Sequence, residues 1–524
     1  MPGCRARDAR ADLCSQLAYA RVSTLKSAIH DGFVNVIDVN AGLVRIRMRQ
    51  TAIRGTSMIL MRHILTIAFV GLSGFVMMSD FSSLSVALPS ISRQLQMTPT
   101  ALSLIGSMST LMFASFLILG GRLIDIYGAV RTCAAGLVLY LLGSLVAASA
   151  AGAAMLIAAR ALQGLGFALL GPAGFSKLNT GLPAGPIRNR GVGIYAAAQG
   201  AAMIAGSVCG GAITTYFGWR AVFLMNVATV IVTLGLAFVL LRREPEITRP
   251  GSLDVFGSVL IATSTALLVW ALTKVGQVSW SSPEVPLTLG GGLVGYLAFA
   301  LYERTLAQPL IPLGLFREKR MIANTLATLG IMVAAAAMFI LPNLYMQRVM
   351  GFSAAQSGFG MLPQALTNIT NGGLLAYAIG RFSFRQNLAI ASAVYVTGLS
   401  LFLLLPLFMP NAGYAVLIGV PLVLASFGGP FGAFAILANS TANSPAHQQG
   451  MVTSVVMSSQ QIGLAFGVAM VLTIAASGEA LGAGVAMSLR YGYVACLGAA
   501  LFGAICALGG RHQHVAGTRA NVAV

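Results

Sequence analysis

Residues 77–91, Met77-Met-Ser-Asp80-Phe-Ser-Ser-Leu-Ser-Val-Ala-Leu-Pro89-Ser-Ile91, close the first long apolar run of a 524-residue chain and put a carboxylate inside it. A charged side chain at membrane depth costs about 2.5–3.5 kcal/mol, so such residues are rare and tend to be functional. The chain holds only 13 Asp and Glu, and nearly all the others fall between apolar runs or at their ends. Asp80 is therefore the first choice for a titratable group held within a bilayer.

The composition around this stretch points the same way. Hydrophobic residues make up 57% of the chain and charged ones 9%, too few to clothe a soluble surface of this size. The expected fold class is all-α, a polytopic membrane protein. The net charge of +19 does not form a basic patch suited to nucleic acid. Lys and Arg gather in short loops, which is how orientation in a bilayer is encoded. Six scattered cysteines (Cys4, Cys14, Cys133, Cys209, Cys496, Cys506) show no CxxC spacing, so neither a disulfide framework nor a metal site is expected. The five histidines lie in tails or loops, and there is no Gly-x4-Gly-Lys-Ser/Thr loop. An enzyme is not expected, and ATP is not the fuel.

Apolar runs long enough to cross the hydrocarbon core begin near residue 64. They are read at 64–88, 101–120, 131–149, 152–174, 191–214, 219–241, 254–273, 286–303, 322–345, 354–379, 386–408, 412–438, 450–475 and 489–509. With the N-terminus inside, the inner gaps and tail from Arg122 to Arg519 carry sixteen Lys and Arg. The outer gaps carry five: Arg93, Arg220, Lys274, Arg348 and Arg490. This asymmetry predicts fourteen helices with both termini cytoplasmic in a cell (inner) membrane. Trp219, Trp270 and Trp280 then fall near outer ends, as an interfacial belt would have them.

The expected organisation is a basic N-terminal extension over 1–56, a six-helix bundle over 57–241 and a linker with two inserted helices over 242–321. A second six-helix bundle over 322–510 and a cytoplasmic tail over 511–524 complete it. The extension carries nine Lys and Arg and no spanning run. It reads either as an upstream start codon, with Met48, Met58 or Met61 the real beginning, or as a disordered basic tail. Helix packing is expected at small residues, chiefly Gly206-x-x-x-Gly210 with Gly211, Gly463-x-x-x-Gly467, and Gly164.

Four passages carry a resemblance. They are Asp80-x-Ser-Ser-Leu-Ser-Val-Ala-Leu-Pro89, Gly121-Arg-Leu-Ile-Asp125-Ile-Tyr-Gly128-Ala-Val-Arg131, Ala159-Arg160-Ala-Leu-Gln163-Gly164-Leu-Gly166, and Gly206-Ser-Val-Cys-Gly210-Gly211 followed by Trp219-Arg220 and Asn226. In this order the chain resembles the fourteen-helix drug:proton antiporter branch of the major facilitator superfamily. The signature loop carries fewer basic residues than that family usually has, at Ile126, Ala129 and Val130, and Ser207 stands where the antiporter motif has proline. The resemblance implies a secondary transporter that exports lipophilic or singly charged compounds in exchange for protons by alternating access. The energy source would be the proton gradient, with no cofactor. The Ser207 departure motivates the alternative of a proton-independent or uptake transporter of a metabolite.

Asp80 and Arg160 lie at matched depth on helices running in opposite directions, so each would offset the other's insertion cost. They read as a proton-coupling pair or as a static structural pair. Gly121, Asp125, Gly128 and Arg131 are expected to form a gating loop through charge–dipole and ion-pair contacts. Polar side chains inside apolar runs, Gln163, Tyr195, Gln199, Asn343, Gln364, Asn368, Gln460 and Gln461, either line a substrate cavity or bond neighbouring helices. Met77, Met78, Met108 and Met112 would give such a cavity an adaptable wall. The expected partners are a small-molecule substrate and the lipid bilayer. A periplasmic adaptor protein with an outer-membrane channel joins them if export is tripartite.

Overall fold

In the computed structural model, the described residues are 39–241, 254–275, 282–306, 309–311, 318–409, 412–442, 444, 448–480 and 484–509. Expectations placed on 1–38, on the links at 242–253 and 312–317, on Trp280 and on the tail 511–524 lie outside them. Met1–Met61 and Arg62–Val524 form two separate compact units; the described part of the first is helical from Val39.

Among the described residues, fourteen long helices follow in chain order. The first six are α1 (Val39–Gln94), α2 (Pro99–Tyr127), α3 (Ala129–Ala148), α4 (Ala153–Gly181), α5 (Pro186–Phe217) and α6 (Trp219–Leu241). A pair comes next, α7 (Val255–Val275) and α8 (Glu284–Glu303). The last six are α9 (Lys319–Arg348), α10 (Leu362–Arg381), α11 (Phe384–Phe408), α12 (Val420–Ala442), α13 (Gln449–Ala480) and α14 (Val485–Gly509). Local chemistry sets several ends. Thr98 caps α2 by accepting from the Ala101 N–H, with Pro99 in the first turn. Gly128, at φ 88°, both ends α2 and starts α3. That left-handed backbone is easy only for glycine and lets two helices join with one residue between them.

Among the described residues, thirteen helices are long and apolar enough to cross a membrane. The exception is α10, within the run read as 354–379. That run breaks at Met361 into a short helix, Ala354–Gly360, and α10, which has Pro363 in its first turn. The polar side of α10, with Gln364, Thr367 and Asn371, is buried, and α10 packs against α5 and α12. Its amides meet protein, as with Asn371 Nδ2 donating to the Ser426 carbonyl at 2.9 Å. Buried polar groups in a bilayer need such partners, and this helix is less apolar than its neighbours for that reason.

Helices α2–α4 and α6 pack together, as do α9 with α12, α13 and α14 and α11 with α12 and α14. The two sets meet chiefly along two seams, α2 against α13 and α5 against α10, with α4 touching α13 and α12 between them. The pair α7–α8 packs together, with α7 lying on α2 and α13, so it covers the first seam. The expected packing glycines sit at crossings. A Cβ at Gly206 would meet the Ser79 carbonyl of α1 at 2.6 Å, one at Gly210 the Ser83 Cβ at 2.8 Å, and one at Gly463 the Leu329 carbonyl of α9 at 2.7 Å. Gly211 faces Val86 at 3.5 Å, and Gly467 is buried. Trp219 departs from the interfacial reading. It is fully buried, its indole N–H donates to Gln94 Oε1 at 2.7 Å, and its ring meets Phe223 edge-on. A buried tryptophan needs one polar partner, and the end of α1 supplies it.

Candidate functional site

Asp80 stands in the part of α1 that Gly206 and Gly210 of α5 allow to come close, and only 1% of it is exposed. Arg160 on α4 is equally buried, and its Nη1 meets Asp80 Oδ2 at 2.8 Å. The other carboxylate oxygen, Oδ1, accepts from the Tyr140 hydroxyl of α3 at 2.8 Å. Arg160 also donates to Gln163 Oε1 at 2.6 Å and to Ser109 Oγ of α2 at 2.5 Å. Gln163 in turn donates through Nε2 to Ser144 Oγ at 2.9 Å. A buried ion pair repays its desolvation only when further hydrogen bonds satisfy the remaining lone pairs and protons; here Tyr140, Gln163 and Ser109, on three helices, meet all but the Arg160 Nε proton. Gly164 permits this geometry, since a Cβ there would lie 2.8 Å from the Ser109 Cα and the Met112 Cβ.

Asp80 and Arg160 line a cavity of about 410 Å³. Its walls are mostly apolar: Met77, Met78, Phe113, Phe167 and Met203 on one side, Ile340, Leu464 and Val468 on the other. Gln461 is the one amide among the described lining residues. The cavity therefore lies between the two helix sets, with a charged pair at one wall and a flexible methionine surface beside it. An apolar enclosure with few convergent polar groups is the usual form of a small-molecule site.

The other expected cavity residues are placed elsewhere. Gln163 is fully buried and acts on Arg160. Tyr195 packs edge-on against Phe175 and Phe434. Gln199 lies near Gly74 of α1. Gln364 is buried in α10, and Asn343, Asn368 and Gln460 are half-buried away from this lining. Met112 faces Gly164, and α2 presents Ser109, Thr110 and Phe113 to the cavity in place of Met108 and Met112. Sequence reasoning passed over Tyr140, Ser109 and Ser144. The available signal was a tyrosine in the middle of an apolar run, with a serine four residues on, along one helical face.

At the end of α2, Asp125 accepts the backbone N–H of Gly450 through Oδ1 at 3.0 Å and that of Met451 through Oδ2 at 3.1 Å. Both N–H groups belong to the first turn of α13, where a helix leaves donors unpaired and carries partial positive charge. Gly121 makes the approach feasible, because a Cβ there would sit 2.8 Å from the Gly450 carbonyl and the Ser454 Cβ. Arg131, expected beside Asp125 in the gating loop, is exposed in the first turn of α3. The contact is thus charge to helix end across a seam.

The family model described as the Major Facilitator Superfamily matches residues 70–468. The cephamycin export protein CmcT of Amycolatopsis lactamdurans is 34% identical over 423 residues, covering 80% of this chain and 86% of that protein. The puromycin resistance protein pur8 of Streptomyces alboniger is 29% identical, covering 76% and 79%. Among solved structures, the human organic anion transporter MFSD10 (TETRAN) superposes with a TM-score of 0.60 at 15% identity, over 85% of this chain and 99% of that one. The proton:xylose symporter XylE superposes with a TM-score of 0.58 at 14% identity, over 84% and 94%. Matched along most of its length by the family model and by relatives of this kind, the chain belongs to the Major Facilitator Superfamily.

Proposed function

We propose that this protein expels lipophilic or singly charged compounds, antibiotic-like in character, across the cell membrane in exchange for protons, by alternating access. The observation that carries this reading is the Asp80 carboxylate, 1% exposed and lining the cavity between the two helix sets. The export and resistance roles printed for its relatives support the same direction of transport.

Ionised Asp80 is held by Arg160 and Tyr140. Water reaching the cavity brings a proton, and a neutral Asp80 no longer attracts the guanidinium. Arg160 keeps two acceptors, Gln163 and Ser109, but its charge then lacks a counter-ion, which drives the pair apart as water enters. Substrate in the apolar cavity and a proton on Asp80 then favour different arrangements of the halves, which is what coupling requires. With both termini cytoplasmic, the Asp125 contact closes the cytoplasmic end in this arrangement. The proton gradient is the energy source, and no cofactor is needed.

The test is dye efflux from energised vesicles carrying wild type or Asp80→Asn. The variant should lose gradient-driven efflux by tenfold or more while still binding dye. Efflux at the wild-type rate, still sensitive to the pH gradient, would remove Asp80 from the mechanism.

A further inference from the structure

The second seam between the halves, α5 against α10, is built on glycine. A Cβ at Gly193 would lie 2.7 Å from the Ala376 Cβ, and one at Gly372 would lie 2.7 Å from the Ala197 N. The two backbones touch there, and the open space lies beside the crossing, where a Cβ at Gly373 would meet nothing within 4 Å. A groove of about 800 Å³ follows it, with Gly373, Gly380, Ile194 and Tyr377 in its lining and Arg190 and Arg381 beside them. Arg190 lies in the first turns of α5, Arg381 is the last residue of α10, and both are exposed. Neither has a carboxylate partner among the described residues, and segments 178–200 and 364–390 contain no Asp or Glu at all.

The groove opens sideways. Ile194 is 46% exposed and Tyr377 61%, apolar side chains on membrane helices with no protein over them. The other seam is covered by the pair α7–α8, so this one is left to the solvent of the membrane, which is lipid. Two uncompensated guanidiniums at the end of an apolar, laterally open groove match an anionic headgroup with its chains attached. A free phosphate would use the arginines and gain nothing from the groove.

We propose that this groove binds an anionic phospholipid, with Arg190 and Arg381 taking its phosphate from opposite halves of the protein and its chain lying over Gly373. Neither the transport cavity nor Asp80 takes part.

Native mass spectrometry of the full chain in detergent tests this directly, with phosphatidylglycerol, phosphatidylcholine or inorganic phosphate added. Phosphatidylglycerol should stay bound in preference to phosphatidylcholine, and Arg190→Gln with Arg381→Gln should weaken it about tenfold. Arg93→Gln with Arg304→Gln removes the same charge elsewhere and should leave binding unchanged. A Cβ at Gly373 meets nothing within 4 Å, so Gly373→Phe can start into the groove without a clash at its Cβ, and it should also weaken binding. Melting of each variant in detergent separates lost binding from lost folding. Equal loss in the control pair, equal retention of phosphatidylcholine, displacement by inorganic phosphate, or full binding by Gly373→Phe would each overturn the proposal.

Discussion

At Asp80 the two carboxylate oxygens are divided between partners, Oδ2 with Arg160 and Oδ1 with Tyr140. Removing one member of a buried pair strands the other, at a cost of about 3–5 kcal/mol. Arg160→Ala should therefore lower the melting temperature in detergent markedly, and Asp80→Asn added to it should restore much of the loss. Single and double variants that melt alike would show the pair to be uncoupled. Tyr140→Phe removes one hydrogen bond to a charged group, worth about 1.5–3 kcal/mol, and leaves Arg160 in place. We expect that variant to fold and to slow gradient-driven efflux about tenfold; an unchanged rate would make Tyr140 a bystander. The acid and the base were both legible as residues, because charge inside an apolar run is conspicuous wherever the helix points. Tyr140 was not, since a tyrosine in such a run fits packing as well as bonding.

At the scale of single helices, Asp125 ties the end of α2 to the start of α13 through two backbone N–H groups. A carboxylate at a helix N-terminus contributes about 0.3–1 kcal/mol, up to about 2 kcal/mol when partly buried. Asp125→Asn keeps the shape and removes the charge, so this end should open more often. A cysteine reporter at Ser454, fully buried beside Gly121, should then react with a water-soluble maleimide about fivefold faster, as about 1 kcal/mol predicts. Equal labelling rates would mean that the contact does not hold the seam. The sequence marked the loop, its glycines and a charge–dipole contact, but it could not say which helix end Asp125 would meet. The partner is a helix end 325 positions away, carrying no side-chain signal at all. Similarly, α10 falls short of spanning hydropathy because its polar side meets α5 and α12.

For the whole molecule, the decisive feature is that two helix sets touch along two seams with a cavity between them. Alternating access requires the two sets to rock against each other along those seams, so that the cavity opens at one end and then at the other. Ala197→Cys and Ala376→Cys, one on each side of the glycine crossing of α5 and α10, should arrest efflux when joined by a short cleavable thiol linker. Activity should return when the linker is cut. A joined protein that transports at the free rate would refute relative movement of the halves. The inserted pair belongs to this scale too, since α7–α8 shields the α2–α13 seam and leaves the α5–α10 seam open to lipid.

Hydropathy, charge bias and glycine spacing are properties summed along the chain. They were enough for an all-helical membrane protein, for the approximate limits of its crossings, and for Asp80 and Arg160 as residues at one depth. Depth comes from counting residues at a fixed rise per residue. What counting cannot supply is rotation: each residue turns the helix by about 100°, so an error of one or two positions moves an amide from a cavity wall to a buried crossing. That is why Gln461 lines the cavity while Gln163 braces Arg160 and Tyr195 packs among aromatics. Only the packing of helices distant in the chain decided which polar groups face one another, and with them the Tyr140 bond, the Asp125 contact and the open seam.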